Sequence, residues 1–135
     1  MKEIYALTSK QMEQLHHLYQ NQWWTKDRSL EETIKGVEGS QVCIGLVDKN
    51  DTLKGFARVI TDFTFKALIF GLIIAEECRN SGLGEQLISL IKNDEKLIEV
   101  KHFELYCLPE LEAFYKQHGF SDDIGDIKLL RYINA

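Results

Sequence analysis

Arg79 stands three residues before Gly82, and Gly84 follows at the second position after it, so "RNSGLG" couples one fixed cation to two positions without side chains. The segment comes after the apolar run "ALIFGLIIA" at 67–75 and opens an amphipathic stretch, which places it where a strand passes into a helix. The first N–H groups of a helix have no intrahelical partner and lie at the positive end of its dipole. Glycine at 82 and 84 clears the approach of an anion to those groups, and Arg79 or the amide of Asn80 adds direct contacts. The chemistry on offer is capture of a phosphate by main-chain amides. Two familiar phosphate loops do not fit these letters. A dinucleotide fingerprint needs a third glycine where Leu87 stands, and a P-loop needs lysine where Glu85 stands.

Other reactive side chains form no comparable group. His16, His17, His102 and His118 show no paired metal spacing, and Cys43, Cys78 and Cys107 make no C-x-x-C, so no metal is expected. Three cysteines cannot all pair, and they read as thiols in a reducing compartment. A net charge of -5 without a basic cluster argues against nucleic acid and mildly favours a cationic partner. The longest apolar run is half of what a membrane-spanning helix needs, and "MKEIYALTSK" lacks a signal-peptide core. We expect a cytoplasmic chain that does not enter a membrane.

The elements that must position these residues follow from periodicity. With 135 residues, 44% hydrophobic and a single proline, the chain suits one domain with one core, and no linker or repeat breaks it. "EIYALT" reads as a strand, and Thr8 or Ser9 caps a helix whose face is Met12, Leu15, Leu18 and Tyr19. Ser29 with Glu32 forms a capping box for a second helix ending near Gly36 or Gly39. "QVCIGLVD" and "LKGFARVITD" flank the turn "KND" as a hairpin, and the doubly apolar "KALIFGLIIA" predicts a central strand. A helix from Gly82 to about Asn93 shows Leu83, Leu87, Ile88, Leu90 and Ile91 on one face. "HFELYC" predicts a strand, Pro109 opens a helix that Gly119 ends, and "IKLLRYI" predicts a last strand, with a further short one near Phe120.

Arg79-x-x-Gly82-x-Gly84 after an apolar strand resembles the acyl-CoA pyrophosphate motif of the GNAT N-acetyltransferase superfamily. "FYKQHGF" at 114–120 is similar to the family's Phe/Leu-Tyr-x-x-x-Gly-Phe segment, and the element order agrees over nearly the whole chain. The resemblance implies a single GNAT-like domain over 1–135, α/β (α+β) in class, with a mixed central sheet of six to seven strands and about four helices. Two departures stand out. Leu108 replaces an asparagine common seven residues before the tyrosine, and Glu76 replaces a proline common after the central strand.

By the same resemblance the activity is acetyl transfer from acetyl-CoA to a primary amine of a small molecule or peptide, in a ternary complex and without metal. Arg79, Asn80, Ser81, Gly82, Leu83 and Gly84 would hold the pyrophosphate. The pantetheine arm would lie between strands 67–74 and 102–107, which part near a bulge at Gly71, with the N–H of Ile73 or Ile74 on the thioester carbonyl. Tyr115 matches the family's general acid, although periodicity alone would make it a packing residue beside Leu111 and Phe114.

The link "QWWTKDRS" would build the acceptor site, with Trp23 and Trp24 lining an amine pocket or stapling the helices to the sheet, packing being the stronger reading for Trp23, and Arg28 holding a carboxylate. Asp62, Glu77 and Glu104 are the carboxylates that could serve as base, and Asp122, Asp123 and Asp126 could attract a cationic acceptor. The resemblance allows a homodimer. Rival readings are an acyl-CoA-binding or sensing module without catalysis, and an interaction domain that binds no CoA.

Overall fold

The computed structural model describes residues 1–134. Two reciprocal caps begin its first two helices. The Thr8 hydroxyl accepts from the Gln11 N–H at 3.1 Å and the Gln11 side chain accepts from the Thr8 N–H at 3.0 Å, starting α1 (Ser9–Gln20). Ser29 and Glu32 repeat the arrangement at 3.0 and 2.9 Å to start α2 (Leu30–Glu38). Each cap satisfies end groups that a helix leaves open.

The strands are β1 (Lys2–Ile4), β2 (Val42–Val47), β3 (Leu53–Thr61), β4 (Lys66–Ile74) and β5 (His102–Leu105). They form one sheet in the order β1-β2-β3-β4-β5, antiparallel except for the parallel pair of β4 and β5. Helix α3 (Leu83–Lys92) crosses between those two strands, and a 3-10 turn at Pro109–Leu111 leads into α4 (Glu112–Gln117). One sheet face packs Ile44, Leu46, Ala57, Val59 and Ile69 against Leu83, Leu87, Ile88 and Ile91 of α3, with Tyr115 of α4. The other packs Val47, Phe56 and Ile73 against Leu15 and Tyr19 of α1 and Val37 of α2. The helix faces predicted from spacing are these buried faces, with Met12, Leu18 and Leu90 at their margins.

The sheet has five strands where six to seven were expected. Residues 127–133 form no regular element and make no backbone hydrogen bond among the described residues, and Leu130, Tyr132 and Ile133 are largely exposed. Strand-forming residues make a strand only where an edge accepts them, and β5, four residues long, offers little edge. No strand forms near Phe120, β5 stops at Leu105 and not at Cys107, and β1 ends at Ile4. The doubly apolar β4 is fourth of five, and β3 holds the centre. Both faces of β4 are nevertheless covered, which is what its composition requires. Among the described residues no helix is long and apolar enough to cross a membrane, and the three cysteines form no disulfide.

Removal of the α2 cap by Ser29→Ala should cost about 1 kcal/mol in a urea titration. An unchanged midpoint would show that α2 is held by packing alone.

Candidate active site

The site begins with a mismatch in the sheet. Arg58 lies opposite Phe70, yet Phe56 lies opposite Ile73, so Ala57 alone faces both Gly71 and Leu72. This is a β-bulge. Its first residue, Gly71, has φ +61, a left-handed conformation that glycine adopts without strain. The buried Tyr19 of α1 donates its hydroxyl to the Gly71 carbonyl at 2.6 Å. A β-carbon on Gly71 would collide with that hydroxyl oxygen. Burial raises the Tyr19 pKa, so the phenol remains a donor.

Past the bulge, β4 loses its neighbour. Its parallel pairing with β5 runs from Lys66 opposite His102 only to Ile69 opposite Leu105. The rings of Phe70 and Tyr106 meet edge to face, 5.6 Å between centroids, where the two strands part. The Ala75 N–H donates to the Lys54 carbonyl at 2.8 Å, continuing the antiparallel pairing with β3. Strand alternation then turns the Ile73 N–H toward β3 and the Ile74 N–H toward the open side. Ile74 is therefore the one of the two whose backbone donor lies outside the β3–β4 ladder, past the end of the pairing with β5.

Three further features gather beside this edge. Gly82, the N-cap of α3, is left-handed at φ +85 and supplies no side-chain cap, and Asn80 before it has φ +61. The first helical hydrogen bond is Gln86 N–H to the Gly82 carbonyl at 3.0 Å, leaving the N–H groups of Leu83, Gly84 and Glu85 without helical partners. A β-carbon on Gly82 would meet nothing within 4 Å, so the space before these amides is open. Exposed Arg79 and Ile74 line one cavity of about 150 Å3 between α1 and the β4–α3 link. The Ser81 side chain is turned inward, its hydroxyl donating to the Cys78 carbonyl.

Gly84 has a second reason to lack a side chain. A β-carbon there would stand 3.2 Å from the Phe114 ring, so the glycine lets α4 approach α3. The adjacent Tyr115, 8% exposed, packs edge to face with Phe114 and Phe120. Burial, with a smaller contribution from Cys107, pushes its pKa up to about 12. Leu108 caps the preceding turn with no side-chain hydrogen bond.

The acidic residues are otherwise engaged. The Asp62 carboxylate accepts from the N–H groups of Thr64, Phe65 and Lys66 at 2.9, 2.8 and 3.2 Å, which lowers its pKa. Glu77 pairs with Lys54 at 2.8 Å, which lowers its pKa too, and Glu104 pairs with Lys66 at 3.0 Å. Asp122, Asp123 and Asp126 are exposed, with Asp122 3.4 Å from Lys116. In the α1–α2 link Trp23 is 69% exposed, against the packing reading of it, and Trp24 is 38% exposed. Thr25 holds the link instead, its buried hydroxyl donating to the Tyr19 carbonyl at 2.8 Å. Asp62 and Trp24 stand outside the cavity between α1, α2 and β3 that Arg28 lines. Two residues of that region escaped the reading of motifs, Tyr19 and Arg58. The signal for Arg58 was a cation set inside the apolar letters of "FARVI".

Residues 38–122 match the family model of the acetyltransferase (GNAT) domain. The chain belongs to the GNAT acetyltransferase family. It is 30% identical to the N-acetyltransferase ycf52 of Pyropia yezoensis, over 94% of this chain and 75% of that one. It is 28% identical to the chloroplastic serotonin N-acetyltransferase 2 of Oryza sativa subsp. japonica, over 80% of this chain and 56% of that one. A solved GNAT structure from Xanthomonas campestris pv. campestris superposes with a TM-score of 0.81 at 22% identity, covering 98% of this chain and 94% of that one. An aminoglycoside 6'-N-acetyltransferase complexed with coenzyme A superposes with a TM-score of 0.67 at 20% identity, covering 78% and 61%. The chain is accordingly an acetyltransferase of GNAT fold.

Gly71→Ala should destabilise this GNAT domain by about 1–3 kcal/mol through left-handed strain alone, and more once Tyr19 is displaced. Tyr19→Phe, which only deletes the hydrogen bond, should cost about 1 kcal/mol. Equal urea midpoints for Gly71→Ala and the parent would remove the strain argument.

Proposed function

We propose that the chain moves an acetyl group from acetyl-CoA to a primary amine of a small molecule or peptide, by direct attack with both substrates bound. The observation that carries this reading is the unpaired edge of β4 beside the uncapped start of α3. Main-chain amides of Leu83, Gly84 and Glu85, with Arg79 nearby, suit a diphosphate, and the open space at Gly82 leaves room for it. The free edge of β4 suits an extended arm with amide groups, which would pair with it as an added strand does. Asn80 acts through its left-handed backbone, and Ser81 serves the loop more than the ligand.

Acetyl-CoA supplies the activated acyl group and a thiolate leaving group. The Ile74 N–H is the donor we assign to the acyl oxygen, where negative charge develops. Tyr115 is assigned to the leaving sulfur. With its pKa near 12 the phenol stays protonated throughout the working range. That value lies above the roughly 8.5 of a thiol, so Tyr115 stabilises the sulfur by donating a hydrogen bond more than by giving up its proton. Asp62 and Glu77 are depressed in pKa and Glu104 is ion-paired, which makes each a weak base. In this reading the acceptor enters as the neutral amine, and after its attack the C–S bond breaks while the proton lost from nitrogen passes through water to the departing thiolate, giving the amide and the CoA thiol. Three free thiols support a reducing compartment, which we take to be the cytoplasm.

Acetyl-CoA at a hundred times its Kd should stabilise the domain by about 2.7 kcal/mol, and a suitable amine should release the CoA thiol. Thermal stabilisation without thiol release from any amine would favour a CoA-binding module, the reading that Leu108 supports. No stabilisation at all would remove both.

Tyr115→Phe removes a hydrogen-bond donor to the developing thiolate and should lower kcat about a hundredfold while acetyl-CoA affinity changes little. For the parent, kcat/KM should rise with pH toward the acceptor's ammonium pKa, about 10 for an alkylamine. Because the Tyr115 pKa is raised, no loss from its ionisation should appear below that point. A fall in rate setting in near pH 8 would exclude Tyr115 from the role.

A further inference from the structure

Arg28 and Arg58 face one cavity of about 240 Å3, between α1, α2 and β3, whose lining also includes Tyr19, Glu32, Thr33 and Gly36. Neither arginine has a carboxylate partner: every ion pair among the described residues uses a lysine. Arg58 projects from β3, half-buried, with its guanidinium 5.1 Å from the Phe70 ring centre and Nη1 donating to Ser40 Oγ at 3.3 Å. Arg28 lies 5.2 Å from the centre of the Tyr19 ring. Burial lowers the pKa of Arg58, and the like charge of Arg28 lowers it further. Glu32 of the same lining feels the charge of Arg28 without forming an ion pair, so two half-buried guanidiniums still outnumber one carboxylate and favour a further anion.

The surrounding residues keep that recess open. Gly36 stands inside α2, where glycine costs about 1 kcal/mol relative to alanine. A β-carbon there would touch the Arg58 guanidinium at 3.8 Å and narrow the cavity. The single acid of the lining, Glu32, has an oxygen engaged by the Ser29 N–H at 2.9 Å. Two cations and one anion leave a net charge of +1 on the lining, which one carboxylate balances and a phosphate dianion exceeds. Planar guanidiniums also match a carboxylate in shape.

The recess adjoins the reaction region. A β-carbon on Gly71 would lie 3.8 Å from Arg58 Nε, so the guanidinium stem borders the bulge where β4 leaves β5. We propose that the acceptor amine also carries a carboxylate, bound between Arg28 and Arg58. This rests on the acetyl-transfer reading above and narrows its substrate class to amino-acid-like amines. The overall charge of -5 points toward cations, whereas this recess selects for an anion.

The test compares matched acceptors by thiol release: 4-aminobutyrate against butylamine, lysine against 1,5-diaminopentane, and 3-aminopropyl phosphate as the phosphate-bearing control. The carboxylated member of each pair should have the higher kcat/KM, by roughly tenfold or more. In Arg58→Gln and Arg28→Gln that ratio should fall toward one through a rise in KM for the carboxylated acceptor, and Arg58→Lys should recover part of it. Equal use of the paired acceptors, a ratio unchanged in both glutamine variants, or preference for the phosphate would overturn the proposal. A second readout is independent of turnover. Titration with glutarate should shift the side-chain Nε–H resonances of Arg28 and Arg58, and glutaramide should not. Unmoved resonances would overturn the carboxylate site, whereas shifts without thiol release from any amine would retain that site and remove the transfer reading.

Discussion

A hydrogen bond of 2.6 Å from Tyr19 to the Gly71 carbonyl ties α1 to the bulge in β4. The extra residue at the bulge displaces β4 relative to β3, and β4 also parts from β5 just before it. In the stretch that follows, β4 has main-chain groups that no neighbouring strand uses. A continuous β4–β5 ladder would leave no such groups. Because the Tyr19 phenol is buried and resists ionisation, the tie persists across the pH range in which an amine becomes a nucleophile.

The main chain thus dominates the donor side of the proposed site, and side chains dominate the acceptor side. The amides at the start of α3 and the Ile74 N–H are fixed by secondary structure and need no reorganisation to meet negative charge. Tyr115 is fixed by packing, between Phe114 and Phe120. On the acceptor side, Arg28 and Arg58 come from a helix link and from β3, and two aromatic rings, of Tyr19 and Phe70, steady them. Tyr19 belongs to both halves, since its ring supports Arg28 while its hydroxyl holds the bulge.

Much of this was legible in the letters because it depends on local rules. Ser29 with Glu32 marks one helix start and Thr8 or Ser9 another, of which the structure uses Thr8, and the apolar face of α3 can be counted out from Leu83. Gly82 announces a turn at a helix start, and Gly71 a bulge, since both sites need a residue at ease with positive φ. Long-range relations were not legible. Nothing near Tyr19 shows that its hydroxyl finds a carbonyl 52 positions later. The acids at 62, 77 and 104 look available until their partners, loop amides and lysines, are known. Residues 127–133 have the composition of a strand but lack an edge to join, and pairing is a property of two segments.

In the proposed site, β4 beyond its bulge and the uncapped start of α3 form one surface for the acyl donor. Amide resonances of the 15N-labelled protein, followed on titration with acetyl-CoA, test it most directly. The N–H signals of Ile74, Leu83, Gly84 and Glu85 should move together on one binding curve, while that of Ile73, directed toward β3, should move less. Perturbation confined to other parts of the sheet, or saturation with these amides unmoved, would contradict it.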